Sequence, residues 1–364
     1  VHDDAETRHP FLDLLACHFG ELPEVSLMDW VQGVTSCGLQ DAPDSVPQQQ
    51  MRLPGLQRVW RLPEGTTIPK REQESFSSLE AFLYGPYLWV LRYPARIRPG
   101  ALMAVSDNNA LKGSVAHQLF EDYFTAHQDI AAAAIDQVPV WCRARLQSLL
   151  EAAGAVLLMS GRAAEREAFI QGTIQGLQKL LEHLQQAGIV SVSTELSAEG
   201  TFTGGTLIGS MDLLTRTADG REAIIDIKWG RSSYRRQALA EDRYLQLAIY
   251  AILRRQVTGT LPAVGYFMIP SCELVMLASD PPYFLHSEQV VPASGEKLLE
   301  FWQRVEHSWR ERRGQLDKGL IEVNVEGTLS DEQMLLDAER GISLKETFER
   351  FSEFGALTGW QENA

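Results

Sequence analysis

The stretch Gly209–Lys228, GSMDLLTRTADGREAIIDIK, reads as two apolar strands joined at Asp219-Gly220, a hairpin turn signal. With a three-residue loop, Ala218 to Gly220, and Gly220 left-handed, Thr217 pairs with Arg221, and counting back sets Asp212 directly opposite Asp226. A two-residue loop would shift the register by one and put the two carboxylates on a diagonal. Side chains alternate along a strand, so Ile224, Asp226 and Lys228 share one surface while Ala223, Ile225 and Ile227 face the other way. Like charges facing each other across strands are destabilising. A bound cation would relieve the repulsion, and hard oxygen ligands of this kind suit Mg²⁺ or Mn²⁺. The blander alternative is an edge strand with two solvated aspartates and a lysine.

Outward from the hairpin, Val190–Leu196 and Val264–Ile269 read as further strands. Residues 110–128, 161–188, Ala238–Arg255, 296–318 and Ser330–Phe354 carry helical periodicity. Ser75 or Ser77 can cap a helix, and Ser77 to Glu80 has the spacing of a capping box; Pro86 interrupts that segment. Asp41–Gln50 reads as a linker. Trp89, Tyr84 and Tyr87 could stack on unpaired bases, but aromatics on a helix are more often core, and that is the reading adopted.

The chain has 364 residues, 45% of them hydrophobic, enough for a sizeable core. No apolar run approaches the roughly 20 residues needed to span a bilayer, so no membrane is expected as a partner. The N-terminus has neither a signal-type apolar stretch nor an initiator Met, which suggests processing or a longer parent polypeptide. Cys17, Cys37, Cys142 and Cys272 are scattered with no CxxC pair, consistent with free thiols in a reducing cytoplasm. The net charge of -15 argues against a chain coated with nucleic acid. Locally the sign reverses: from Lys228 to Arg255 seven basic residues face only Glu241 and Asp242, a net of +5. Such a run is usually a solvated face; its place directly after the hairpin makes a phosphate track an alternative.

Gly209-x-x-Asp212, Ile-Ile-Asp226-Ile-Lys228 and Gln246-Leu-Ala-Ile-Tyr250, in that order, resemble the PD-(D/E)XK nuclease superfamily, above all its RecB/AddB-type branch. That branch carries an upstream G-x-x-x-H on a helix, matched by Gly113-Ser-Val-Ala-His117. It also carries an S-x-S-x-L-E…C-P segment, matched by Ser75-Phe-Ser77-Ser-Leu79-Glu80 and Gly85-Pro86-Tyr87. The likeness implies an α/β, restriction-endonuclease-like core, a central mixed sheet flanked by helices, with extra helical segments. It divides the chain into an N-terminal accessory region (1–70), the nuclease core (71–275) and a mainly helical C-terminal region (276–364).

The resemblance also implies roles. Asp212 and Asp226 would bind a divalent metal, with the backbone carbonyl of Ile227 as a further ligand. His117 would be a ligand or hold a metal-bound water, and Glu195 could be an extra acidic ligand or a solvated strand residue. Lys228 would sit beside the scissile phosphate. Gln246 and Tyr250, four residues apart on one helical face, would orient the lysine or touch the DNA backbone; for Tyr250 a simple core role stays open. Arg231, Arg235, Arg236 and Arg243 are candidate phosphate contacts. Where iron–sulfur members place a cysteine before the proline this chain has Gly85, and only Cys272 follows the core at the relevant place, so no cluster is expected. The chain has no G-x-x-x-x-G-K-[ST] phosphate loop. An ATP-dependent helicase would be a separate subunit or lie elsewhere in a longer polypeptide. The activity implied is metal-dependent cleavage of DNA, exonucleolytic or flap-type, in repair or recombination. A catalytically inactive DNA-binding or scaffold subunit is the alternative.

Overall fold

The hairpin closes through a three-residue loop. In the computed structural model Thr217 N–H donates to Arg221 O and Gly220 N–H to Thr217 O, each at 3.0 Å. Gly220 takes φ +87, a left-handed conformation that only glycine enters without a steric penalty. The ladder then runs Arg216↔Glu222, Thr215↔Ala223, Leu214↔Ile224 and Leu213↔Ile225. Continued by one step, it sets Asp212 opposite Asp226, the direct pairing and not the diagonal one.

The structure describes residues 57–97, 109–279, 282–290, 298–323, 340–342 and 354–358, all in the second of two compact units, Val1–Arg52 and Leu53–Ala364. The proposed linker Asp41–Gln50, Cys17 and Cys37 lie outside the described residues. In chain order the strands are β1 (Val59–Arg61), β2 (Gln73–Ser75), β3 (Ile189–Phe202), β4 (Gly205–Thr217), β5 (Glu222–Lys228), β6 (Ala263–Met268), β7 (Glu273–Leu277), β8 (Glu288–Val290) and β9 (Leu320–Glu322). The helices are α1 (Phe76–Tyr84), α2 (Pro86–Arg92), α3 (Asn109–Ala126), α4 (Val138–Ala153), α5 (Ala155–Leu158), α6 (Ala163–Gln186), α7 (Ser232–Ala240), α8 (Leu245–Thr258), α9 (Leu298–Asp317) and a single turn α10 (Gly355–Thr358), with a 3-10 turn over Ile135–Gln137. Among the described residues no helix is long and apolar enough to cross a membrane.

A seven-stranded mixed sheet runs β2-β4-β5-β6-β7-β8, with β3 on the other edge of β4. β4 is long enough to hold two partners on one edge. Its first half pairs in parallel with β2, from Gln73↔Thr206 to Ser75↔Ile208, and its second half pairs antiparallel with β5. Asp212 lies in the gap between them. Helices cover both faces, as buried parallel strands require. Leu214, Ile224, Val264 and Tyr266 pack with α1, α2, α8 and α9 in one core. Leu213, Ile225, Ile227 and Phe267 pack with α3, α4 and α6 in the other. A small β1–β9 ribbon, Val59↔Glu322 to Arg61↔Leu320, ties the beginning of the described chain to the end of α9. Behind it Arg312 and Glu322, both fully buried, form an ion pair that Arg58 shares at 3.0 Å.

Several local expectations shift. Ser75 caps α1 through a box with Ser78, not Ser77 with Glu80; Ser75 N–H donates to Ser78 Oγ at 2.8 Å. The single helix expected over Ala238–Arg255 is two, α7 and α8, broken at 241–244 where Asp242 takes φ +52. The expected helix Ser330–Phe354 falls mostly outside the described residues, and residues 340–342 are not helical. Strands β2, β7 and β8 carry no periodic pattern strong enough to announce them, whereas helix α4 buries Val138, Cys142, Leu146, Leu149 and Leu150 at helical spacing and adds to the helices expected. Tyr84, Tyr87 and Trp89 are buried in the core.

Candidate active site

At Asp212 the hairpin opens. The pairs Thr217/Arg221, Thr215/Ala223 and Leu213/Ile225 alternate as hydrogen-bonded steps of an antiparallel ladder, so Ile227 N–H would next seek the backbone of residue 211. It donates instead to Asp212 Oδ2, at 2.8 Å. The Ile227 carbonyl is held from the other side by His117, whose Nε2 lies 2.5 Å away. The two peptides that flank Ile227 in β5 are thus gripped, one at its N–H by a β4 carboxylate and the next at its carbonyl by an α3 imidazole, and His117 Nδ1 lies 3.6 Å from Asp212 Oδ2.

His117 reaches this point because α3 buries Val115, Ala116, Leu119, Phe120, Tyr123 and Phe124. That apolar stripe fixes the helix on the sheet and leaves His117 half-buried at its margin. Gly113, one turn earlier, passes Trp229, the residue after Lys228, with room for a Cβ at 3.5 Å from the Trp229 Cβ. Gly209 is tighter: a Cβ there would stand 2.9 Å from the Tyr250 ring, so the glycine of Gly-x-x-Asp lets α8 lie close against β4.

Asp226 is fully buried. Lys228 Nζ stands 2.6 Å from its Oδ2, yet neither carboxylate oxygen receives a well-directed hydrogen bond. A buried carboxylate in that state is costly unless something else binds it. Beside it, ligand atoms of His117, Glu195 and Asp212 all lie within 4.8 Å of one another. Three oxygen donors and one imidazole, one carboxylate short of hydrogen bonds, fit a hard divalent cation. The tightest grouping differs from the expected set: Glu195 joins it, while Asp226 faces Lys228.

Glu195 occupies the β3 position across from Asp212, between the pairs Thr194↔Leu213 and Leu196↔Met211. Its φ is +45, an uncommon conformation for a non-glycine residue, and its Oε2 accepts from Ser210 Oγ at 2.9 Å. The sequence offers Glu195 as either an extra acidic ligand or a solvated strand residue; the positive-φ backbone that sets it beside Asp212 leaves no trace in residue spacing.

The charges perturb one another. Burial, then the neighbouring Asp226 and Glu195 carboxylates, push Asp212 up to about 8 against the pull of Lys228 and the Ile227 N–H. Burial and Lys228 push His117 below the usual histidine range, so its imidazole is neutral and able to ligate near pH 7. Gln246 Nε2 donates to Tyr250 Oη at 3.0 Å. The buried Tyr250 hydroxyl is pushed well above the usual tyrosine range, first by burial, then by Asp226, Asp212 and Glu195. The pair therefore faces the carboxylate cluster, and Tyr250 is both a core residue and a neighbour of the site.

The basic run is only partly available. Arg236 pairs with Glu288 at 2.5 Å and Glu273 at 3.7 Å, Arg243 with Glu241 and Arg254 with Glu222 at 2.7 Å. Arg231 is exposed. Arg235 lies over the Tyr266 ring, 4.9 Å from its centroid.

The PD-(D/E)XK nuclease superfamily model matches residues 73–325. No curated protein matches. Among solved structures, a candidate exonuclease from Eubacterium rectale aligns at 13% identity over 73% of this chain and 90% of that one, with a TM-score of 0.36. The family match runs from β2 past β9 and takes in every element that converges on Asp212, well over half of the sequence: the chain belongs to the PD-(D/E)XK nuclease superfamily.

Proposed function

We propose that this member of the nuclease superfamily is a DNA nuclease that uses Mg²⁺ or Mn²⁺, cleaving phosphodiester bonds exonucleolytically or at flaps. The observation that carries the reading is the double grip on the backbone of Ile227, at its N–H by Asp212 and at its carbonyl by His117, beside a buried, under-bonded Asp226. Asp212, Asp226, the Ile227 carbonyl and His117 would hold the cation, and Glu195 is a further ligand. When bound, a divalent cation polarises a phosphoryl oxygen and lowers the pKa of water.

The remaining work falls to the chain. Lys228 presents a half-buried ammonium on the face shared with Asp226, positioned to stabilise charge developing on the phosphate; one such group contributes about 3–4 kcal/mol by analogy with oxyanion-hole donors. The Gln246–Tyr250 hydrogen bond fixes two polar groups on α8 toward the same cluster. Arg231 and Arg235 are the arginines best placed to meet phosphate. Arg236 and Arg243 would have to exchange a glutamate for it.

A role in repair or recombination, beside an ATP-driven helicase on a separate subunit or elsewhere in a longer polypeptide, is supported by the RecB/AddB-like motif order. A cytoplasmic setting is supported by the unpaired thiols of Cys142 and Cys272.

The test is cleavage of end-labelled single- and double-stranded DNA with and without Mg²⁺ or Mn²⁺, with Lys228→Ala and Asp226→Ala as controls. Metal-dependent cleavage lost in both variants is expected. Absence of cleavage with any metal and substrate would overturn the reading in favour of a binding module.

A further inference from the structure

Tyr266 is the register partner of Asp226 on the neighbouring parallel strand, so the two side chains rise on the same face about 4.8 Å apart. Tyr266 is buried. The Arg235 guanidinium lies over its ring at 4.9 Å from the centroid and, on the outer side, 5.4 Å from the centroid of Tyr234. Tyr234 is 61% exposed. The three side chains form a graded series from the buried strand beside the catalytic carboxylate, through a half-buried cation, to an open aromatic ring. Beside the series runs a narrow cleft between α1, α7 and α8. Phe76, Tyr84 and Gln246 also line it, and Gln246 is the residue that binds Tyr250.

An exposed aromatic ring resting on an arginine, with a second arginine at position 231 one turn before it, matches the chemistry of unpaired nucleic acid. A base stacks on the ring while the guanidinium groups meet the flanking phosphates. A base held in a duplex cannot present its face to such a ring. The cleft itself, about 40 Å³, is too small to take a base, so the ring at its mouth is the contact surface.

We propose that Tyr234, backed by Arg235, is a stacking platform for an unpaired nucleotide next to the scissile phosphate, which directs this site toward single-stranded DNA. The proposal rests on the nuclease reading for the identity of its ligand but on separate residues. Arg235 acts as a positioning residue that orders the ring and offers its charge to the backbone.

The experiment measures binding without cleavage. The full chain, in EDTA, is titrated into a fluorescein-labelled single strand and into a blunt duplex, and separately into a strand carrying 2-aminopurine. Tyr234→Ala is expected to weaken single-strand binding about tenfold and abolish the change in 2-aminopurine emission. Tyr234→Phe should keep both, and blunt-duplex binding should not respond to either variant. Because Tyr234 is exposed, thermal midpoints of both variants should match the parent. Equal binding by Tyr234→Ala, an equal loss on duplex, or a Tyr234→Phe as impaired as Tyr234→Ala would overturn the platform. Parent protein that stacks 2-aminopurine but cleaves nothing with Mg²⁺ or Mn²⁺ would leave the platform standing and sink the nuclease reading. Cleavage unaffected by Tyr234→Ala on every substrate would do the reverse.

Discussion

Asp212 Oδ2 accepts the Ile227 N–H at 2.8 Å across the open end of the hairpin, taking the place of a backbone partner. The carboxylate thereby has two tasks, one in the sheet and one in the charge cluster.

Replacing Asp212 by Asn separates those tasks. The amide oxygen still accepts from Ile227, while the cost of taking up a proton, or of carrying a charge, beside Asp226 is gone. In metal-free protein the thermal midpoint is expected to rise by about 2–4 °C, the effect of roughly 1 kcal/mol in a chain of this size. Mn²⁺ binding by calorimetry and DNA cleavage should both fall by about a hundredfold or more. A variant less stable than the parent in EDTA would contradict the account of Asp212 as a repelled charge.

The same repulsion sets a pH dependence. Burial and Asp226 hold the folded-state value of Asp212 at about 8 against an ordinary 3.8. The folded chain therefore binds a proton that the unfolded chain releases over that interval. The associated stability is fully present below about pH 4 and is lost as pH rises through 8. Thermal midpoints in EDTA should show this contribution as a decline between about pH 4 and 8, level above that, which Asp212→Asn removes. Metal binding near pH 7 should release protons, seen as a buffer-dependent heat.

Glu195→Gln keeps the length of the side chain and an acceptor for Ser210 but removes a charge from the His117–Asp212 group. Affinity for Mn²⁺ should drop about tenfold, with the melting midpoint in EDTA unchanged or slightly raised. Unaltered metal affinity would return Glu195 to the solvated strand residues.

The two motif glycines should part company. Gly209→Ala sets a methyl 2.9 Å from the Tyr250 ring and is expected to cost about 1–3 kcal/mol as well as activity, through displacement of α8. Gly113→Ala meets only the Trp229 Cβ, at 3.5 Å. In mid-helix it should stabilise by about 0.5–1 kcal/mol. Urea denaturation of both variants distinguishes a steric glycine from a tolerant one.

Residue alternation and turn chemistry within Gly209–Lys228 determined the hairpin and the face that Asp226 shares with Lys228, because strand period and the glycine requirement of the turn are properties of neighbours in the chain; the choice between a three-residue and a two-residue loop, and with it the facing of Asp212 and Asp226, came from the folded ladder. The apolar stripe of 110–128 likewise determined the helix that carries His117. The tertiary structure alone decided the rest. It bends β3 at Glu195 so that a third acid joins the cluster, splits 238–255 at Asp242, assigns Arg236, Arg243 and Arg254 to glutamates, and stacks Arg235 between two tyrosines. It also pairs three-residue strands such as β1 and β9 across some 260 positions. Each of these depends on which distant residues arrive at the same place, and the free energy of those contacts comes from burial and charge that no local pattern encodes.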